Sequence, residues 1–240
     1  MRCRIAELNI EINNTDSDTE RICSKFLCDF DKPDLVISVS PLEVKKEMEA
    51  STYKNSFAYT ESFLSFKKLS SRLAEFDAFL MHGAVIKIRN KGIVFSAPSG
   101  TGKTTHMLRW KEVFGDEVTV INGDKPIIRQ RDGHPVAYGT PWCGKEGYTS
   151  NDSVNITDIC FIERAEQNSV CRVEARDAVK ELMSQILIPK VPADTIRVLG
   201  MLDDILKECS VWKIYCNKDI EAALVASEEI FKVRGNVNET

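Results

Sequence analysis

Apolar and polar positions alternate along the first stretch of the chain. Cys3, Ile5, Leu8, Ile10 and Ile12 predict a strand over residues 3–12, and Asn13, Asn14 and Asp16 a turn after it. Residues 34–39 read as a short buried strand. Residues 56–66 are rich in aromatics and fit either a strand or a helix. Leu73, Phe76 and Leu80 recur at helical spacing and predict a helix over 69–81, with serine available as its cap. Strands are expected over 84–89 and 93–96, joined as a hairpin through Asn90-Lys91-Gly92.

The remaining pattern mixes both periods. A helix is predicted over 103–114, ending near Gly115, and a strand over 117–121. Asp132-Gly133 is a strong hairpin turn between strands at 126–130 and 135–138. Residues 139–153 read as a loop. A second hairpin is expected between 156–163 and 169–174. Helices follow over 175–187, stopped by Pro189, and over 193–207; then a strand over 211–215 and a helix over 218–231. The stripe of Leu182, Met183, Ile186 and Leu187 is core packing. Hairpins on both sides of residues 97–102 predict a mixed sheet with substantial antiparallel pairing, where βαβ crossovers alone would give a mostly parallel one.

Between the strand at 93–96 and the helix at 103 runs Ala97-Pro98-Ser99-Gly100-Thr101-Gly102-Lys103-Thr104-Thr105. This is the layout of a phosphate-binding loop. Successive amides of such a turn form an anion nest, and the helix adds the positive end of its dipole. The candidate nucleotide contacts are Pro98, Ser99, Gly100, Thr101, Gly102, Lys103, Thr104 and Thr105. Lys103 would bring a full charge to the terminal phosphates. Thr104 would offer its hydroxyl to the magnesium ion that accompanies them. The pattern asks for Gly at position 97; Ala97 is expected to sit at ordinary φ. The alternative is a chance Gly/Ser/Thr turn, against which both flanks argue.

Other residues bear on chemistry. Asp124 follows a strand end and is either the carboxylate that orients an acceptor hydroxyl or a plain turn residue. His82 is either a phosphate partner when protonated or a helix-end histidine. The loop at 139–151 is the expected acceptor-binding region. In it Trp142 either covers substrate or anchors the loop, and Lys145 and Glu146 either meet substrate or form a solvated pair. Arg164, at a strand end, is a weaker candidate for a phosphate contact. His106 is expected to face solvent or the adenine side, and His134 to have no role.

Composition narrows the partners. The formal charge is −4 with no basic block, which disfavours nucleic acid. No apolar stretch approaches the ~20 residues of a membrane span, and the first residues lack the apolar core of a signal peptide. A cytoplasmic protein is expected. With 43% hydrophobic residues, the 240-residue chain can bury a substantial core. None of the eight cysteines forms a C-x-x-C pair, which argues against a zinc site. Cys160 and Cys171 are expected to be buried in strands, and Cys143 to be exposed.

Taken together, His82-Gly83-Ala84, the loop at 97–104 and Asn122-Gly123-Asp124-Lys125-Pro126 resemble the HPr kinase-like proteins, whose core is shared with ATP-dependent phosphoenolpyruvate carboxykinase. The resemblance covers about residues 70–230. Tyr138-Gly139-Thr140-Pro141-Trp142-Cys143-Gly144 is similar to a branch that includes kinases acting on lasso-peptide precursors.

The resemblance implies an α/β fold with a mixed, partly antiparallel sheet and a P-loop kinase core over 69–234. It leaves a small N-terminal α+β portion over 1–68 and a frayed tail over 235–240. It also implies transfer of a phosphoryl group from ATP, with Mg2+, to the serine hydroxyl of a peptide or small protein. Lys103, Asp124 and His82 would be catalytic, and Thr104 and Asp124 would hold the metal. Many members carry two neighbouring acids where this chain has Gly123 and Asp124, so Asp124 could be base, metal contact or both. The substrate-gripping signature of authentic HPr kinases is not found, which argues against HPr as acceptor. A nucleotide-binding switch or scaffold without catalysis is the alternative. Donor choice among ATP, GTP and pyrophosphate stays open, as does oligomeric state.

Overall fold

The first strand of the chain doubles back on itself. In the computed structural model, which describes residues 1–232, β1 (Arg2–Ile5) and β2 (Leu8–Asn13) pair antiparallel. Ala6 and Glu7 between them lie at φ 51° and 62°, the left-handed pair that a two-residue hairpin turn requires. The single strand expected over 3–12 is therefore a hairpin. Neither Ala nor Glu is a turn residue, so composition gave no sign of it. α1 (Ser17–Ile22) follows, and β3 (Leu35–Ser38) then joins β2 in parallel to complete a three-stranded sheet. α2 (Pro41–Ala50) opens with a capping box between Ser40 and Glu43.

The ambiguous aromatic stretch is α3 (Phe57–Ser70), capped by Ser56, whose Oγ accepts from the Tyr59 amide. It runs through residue 68. Its Glu61 is fully buried and accepts from the amides of Thr15 and Asp16 and the hydroxyls of Thr15 and Thr19. Those bonds fasten α3 to the turn before α1.

The helix expected over 69–81 does not form. After α3 come a 3-10 turn at Leu73–Phe76, a left-handed Asp77 (φ 52°) and a strand, β4 (Ala78–Leu80). Pairing with β8 (Ile127–Arg131) overrides the helical spacing of the apolar residues. β5 (Ala84–Ile88) and β6 (Lys91–Ser96) form the expected hairpin, turning at Arg89-Asn90. The chain then passes through α4 (Lys103–Phe114) and β7 (Thr119–Asn122) to β8 and β9 (His134–Tyr138). The long strand β10 (Ser153–Arg164) comes next. After β11 (Ser169–Arg172) come α5 (Ala175–Ser184), α6 (Pro192–Glu208), β12 (Ser210–Cys216) and α7 (Glu221–Lys232). The tail expected over 235–240 lies outside the described residues.

β10 joins two halves of one mixed sheet. Its first three residues pair antiparallel with β9, which continues to β8 and β4. Its remainder pairs in parallel with β6 on one edge and β12 on the other. The hairpin expected between 156–163 and 169–174 is thus opened: β12 inserts between β10 and β11 and pairs with both. The fold is α/β with a mixed, partly antiparallel sheet.

Helices cover both faces of the parallel part, so its strands read as continuous apolar runs. Val94, Ile159 and Phe161 face α5 and α6 through Leu182, Val198 and Leu202. Ile93, Phe95 and Cys160 face α4 and α7 through Trp110, Ala223 and Ile230. Of the stripe assigned to the core, Leu182 is buried and Met183 and Ile186 are partly so, while Leu187 is half exposed. The small sheet packs on the β4–β8–β9 side, where Ile10 and Phe26 share a cluster with Leu80, Ile127 and Tyr138. Arg129 bridges the two sheets, donating to the carbonyls of Phe76 and Ala6. Two cysteines depart from expectation: Cys143 is buried and Cys171 exposed.

An ion pair is buried at the centre of the parallel strands. Lys91 Nζ on β6 donates to Asp158 Oδ2 on β10 at 2.8 Å and to the Ile230 carbonyl of α7 at 3.3 Å. Asp158 also accepts from Thr157 Oγ1 and from Trp212 Nε1 on β12. Four elements therefore meet on one carboxylate and one ammonium. Asp158→Ala leaves Lys91 buried and unpaired and should cost about 3–5 kcal/mol. Denaturant titration should register that loss. The double change Lys91→Met with Asp158→Leu should recover much of it.

Candidate functional site

The candidate site lies at the C-terminal ends of the parallel strands, where α/β sheets commonly bind ligands. β6 ends at Ser96 and the chain turns through residues 97–102 into α4. Gly100 and Gly102 take φ of 79° and 126°, while Ala97 does not have positive φ. Space around both glycines is open, so backbone conformation alone accounts for them. α4 begins at Lys103 without a side-chain cap. The first amides of a helix lack intrahelical acceptors, and here no side chain supplies one.

Lys103 is 7% exposed and folds back onto the loop, donating to the Ala97 carbonyl at 2.8 Å. Burial lowers its pKa; the nearby Asp124 charge opposes that and Lys125 adds to it. Arg164, at the end of β10, holds the other side of the loop. Its Nε donates to the Thr101 carbonyl at 3.0 Å and its other arm to the Gly100 carbonyl. Arg164, the weaker candidate for a phosphate contact, thus lies on the loop itself.

Asp124 is set by the turn that follows β7. Asn122 is fully buried, and its Oδ1 accepts from the amides of Asp124 and Lys125 at 2.9 and 2.7 Å. That is an Asx turn. Asn122 Nδ2 donates to the carbonyl and hydroxyl of Thr140, and the Thr140 hydroxyl donates to the Lys125 carbonyl. Met81 and Gly83 donate their amides to the carbonyls of Pro126 and Asp124, which sets His82 beside the turn.

His82 Nε2 lies 3.4 Å from Asp124 Oδ1. Its Nδ1 is 3.0 Å from Gln185 Oε1, so Nδ1 carries a proton, the amide orientation being assigned from the bond of Gln185 Nε2 to Ser184 Oγ. Lys125 Nζ pairs with the other Asp124 oxygen, Oδ2. Burial would raise the Asp124 carboxyl, but the bonds from His82 and Lys125 outweigh it and hold the pKa down at about 2.

Gly123 is enclosed. A Cβ there would come within 3.2 Å of Tyr148 Cβ and 3.3 Å of the Cys143 carbonyl. A side chain here would need Tyr148 or the Cys143 carbonyl to give way by a few tenths of an ångström. Gly144 in turn lies against Asp124, where an added Cβ would be 3.2 Å from its Cβ.

The structure brings Lys103, His82, Asp124 and the loop at 98–102 together and leaves other candidates outside. Trp142 is an anchor: its Nε1 donates to Ser62 Oγ of α3, and its ring lies 5.2 Å from that of Phe66. Lys145 and Glu146 are exposed. His106 is 3% exposed and packs edge-on against Phe95, against the expectation of a solvent-facing side chain. Burial pushes its pKa down to about 4. Trp110 Nε1, a donor only, bonds its Nε2, so the proton is on Nδ1. Asn122, Lys125 and Thr140 stand in the motifs that carry the resemblance but were given no role of their own, and Gln185 was not named. Asn-Gly-Asp is an Asx-turn signal that could have found Asn122.

A cavity of about 570 Å³ opens beside the loop, lined among others by Ser96, Thr101, Arg164, Glu181 and Gln185. Gln185 links it to His82. A second, of about 410 Å³, is lined by Thr105, Arg164, Asn217 and Lys218 among others. Among the described residues no cluster of three or more His, Cys, Asp or Glu could hold a metal by itself, and no helix is long and apolar enough to cross a membrane.

No family model matches the chain, and no curated protein does. Among solved structures the chain is similar to the HPr(Ser) kinase/phosphatase from Coxiella burnetii. The identity is 10% and the TM-score 0.38, over 65% of this chain and 99% of that one. So loose an overlay leaves the site to be read from this chain's own atoms.

The depressed Asp124 pKa has a signed consequence. Its contribution to stability is complete above the usual carboxylate value of 3.8 and is lost as pH falls toward about 2. Unfolding midpoints followed from about pH 5 to about pH 2 should fall more steeply for the wild type than for Asp124→Asn.

Proposed function

We propose that the protein is an ATP-dependent kinase that phosphorylates a hydroxyl, with a serine of a peptide or small protein as acceptor. The observation that carries this reading is the junction of an uncapped α4 start, a glycine turn and a buried Lys103 with the Asp124–His82 pair. Phosphoryl transfer needs positioning and charge neutralisation more than covalent help. The amides at the start of α4 and Lys103 suit a polyphosphate. Asp124, held as a carboxylate, suits an acceptor hydroxyl, and His82 fixes one of its oxygens.

The donor set also fits magnesium. The Thr104 hydroxyl and the Asp124 carboxylate are hard oxygen ligands of the kind that ion takes alongside phosphate oxygens. They would hold it, and it would neutralise charge on the transferring group. The arc of residues 140–144, pressed onto Asp124 through Gly144, supports an acceptor approaching over that face.

One observation favours a second reading, a nucleotide-binding switch without turnover. The enclosed Gly123 leaves a single acid, already engaged by His82 and Lys125. Calorimetry with Mg-ATP and a radiolabel assay on serine-containing peptides separate the two. The kinase reading expects both binding and transfer; Lys103→Ala should abolish transfer, and Asp124→Asn should lower it by orders of magnitude. Near-normal turnover in Asp124→Asn would remove that residue from its role. Binding without transfer to any hydroxyl would select the switch.

A further inference from the structure

We infer that Lys125 is the residue that recognises the terminal phosphate, distinguishing a nucleoside triphosphate from a diphosphate. The inference rests on the nucleotide-binding reading above and deepens it.

The position of Lys125 is determined by its backbone. Its amide donates to Asn122 Oδ1 at 2.7 Å and its carbonyl accepts from Thr140 Oγ1 at 2.8 Å. Both partners are buried. The side chain is different: it is 36% exposed and makes its ion pair with Asp124 Oδ2. A pinned Cα with a partly free ammonium is what a residue needs if it is to change partners without moving the chain.

Charge supplies the reason to change. Two ammonium groups, Lys103 and Lys125, face one carboxylate, and their charges are close enough that Lys125 and Asp124 both act on Lys103. No second acid stands beside Asp124 to balance them, position 123 being a glycine closely packed against Tyr148 and the Cys143 carbonyl. The cluster therefore carries surplus positive charge beside the loop, with Arg164 on the opposite side of that loop. A polyphosphate is the ligand that such a surplus fits.

The two lysines are placed for different parts of it. Lys103 lies within the turn, on the Ala97 carbonyl, where it would reach the end of any polyphosphate the loop holds, diphosphate or triphosphate. Lys125 lies beyond the turn, on Asp124, and the cavity beside the loop leads that way through Gln185 and His82. On this inference a diphosphate held by the loop leaves the Lys125–Asp124 pair intact. A third phosphate extends to Asp124, which it would repel unless the carboxylate were neutralised or Lys125 swung across to the phosphate oxygens.

Paired calorimetric titrations with Mg-ADP and the non-hydrolysable Mg-AMPPNP test this without an acceptor. Lys125→Met should weaken Mg-AMPPNP by about tenfold or more, the worth of a charge-assisted hydrogen bond, and leave Mg-ADP unchanged. Lys125→Arg should keep part of the preference. Lys103→Ala should lose both ligands. If the wild type binds neither nucleotide, the nucleotide-binding reading fails and takes this one with it. If it binds both, and Lys125→Met weakens both alike or neither, Lys125 is not the discriminating group and only this inference is overturned. Unchanged Mg-ADP binding also reports that the variant is folded. Should Lys125→Met not fold, the same titrations on Lys125→Gln decide.

Discussion

The buried pair of Lys91 and Asp158 is the constraint on which the arrangement of the site depends. Side chains alternate faces along a strand, so a one-residue slip of β10 against β6 would carry Asp158 to the other face of the sheet. Lys91 would then be left charged in the interior. Trp212 and the Ile230 carbonyl extend the same demand to β12 and α7. A buried ion pair adds little net stability over apolar packing of the same shape. Its effect here is on register, and register decides where Ser96, Arg164 and Cys216 end. Those ends are the rim on which the glycine turn sits.

A second layer of polar bonds builds the acidic side of the site. Asn122 is buried between Thr140 and the turn it caps; its Oδ1 fixes the amides of Asp124 and Lys125, and its Nδ2 holds Thr140. Thr140 returns the bond to the Lys125 carbonyl. A fully connected buried network of this kind is rigid, because leaving any member unpaired is costly. The long side chains at its surface, Lys125 among them, are partly exposed. The carboxylate is thus fixed on a stiff base, with His82 and Lys125 on its two oxygens.

Local signals were strong where turn chemistry and period agreed. The turn at 97–102, the helix after it and the Asp132-Gly133 hairpin follow from residue types alone, and the mixed sheet follows from the hairpins. Ala6-Glu7 turned without any turn residue. The apolar spacing of Leu73, Phe76 and Leu80 looked helical because a short strand with both faces buried carries no alternation. The order of β10, β12 and β11 was hidden for another reason. Strands adjacent in sequence usually pair, and the insertion of β12 depends on α5 and α6 packing across one face, which is a tertiary fact. At the site, the residue types that carry charge were legible at Lys103, Asp124 and His82. Their supports were not: Gln185 is distant in sequence from His82, and Trp142 reads equally as cover or anchor until Ser62 and Phe66 are seen beside it.

The anchoring of Trp142 has a structural corollary for the first seventy residues. The arc that lies over Asp124 is nailed at one end to α3, and α3 is itself held through Glu61 to the turn before α1. Shortening the chain from its amino end would strip the indole of its seat and unmoor the roof of the cleft. The small sheet is in this sense a buttress, and the shape of the cleft is a property of the whole chain.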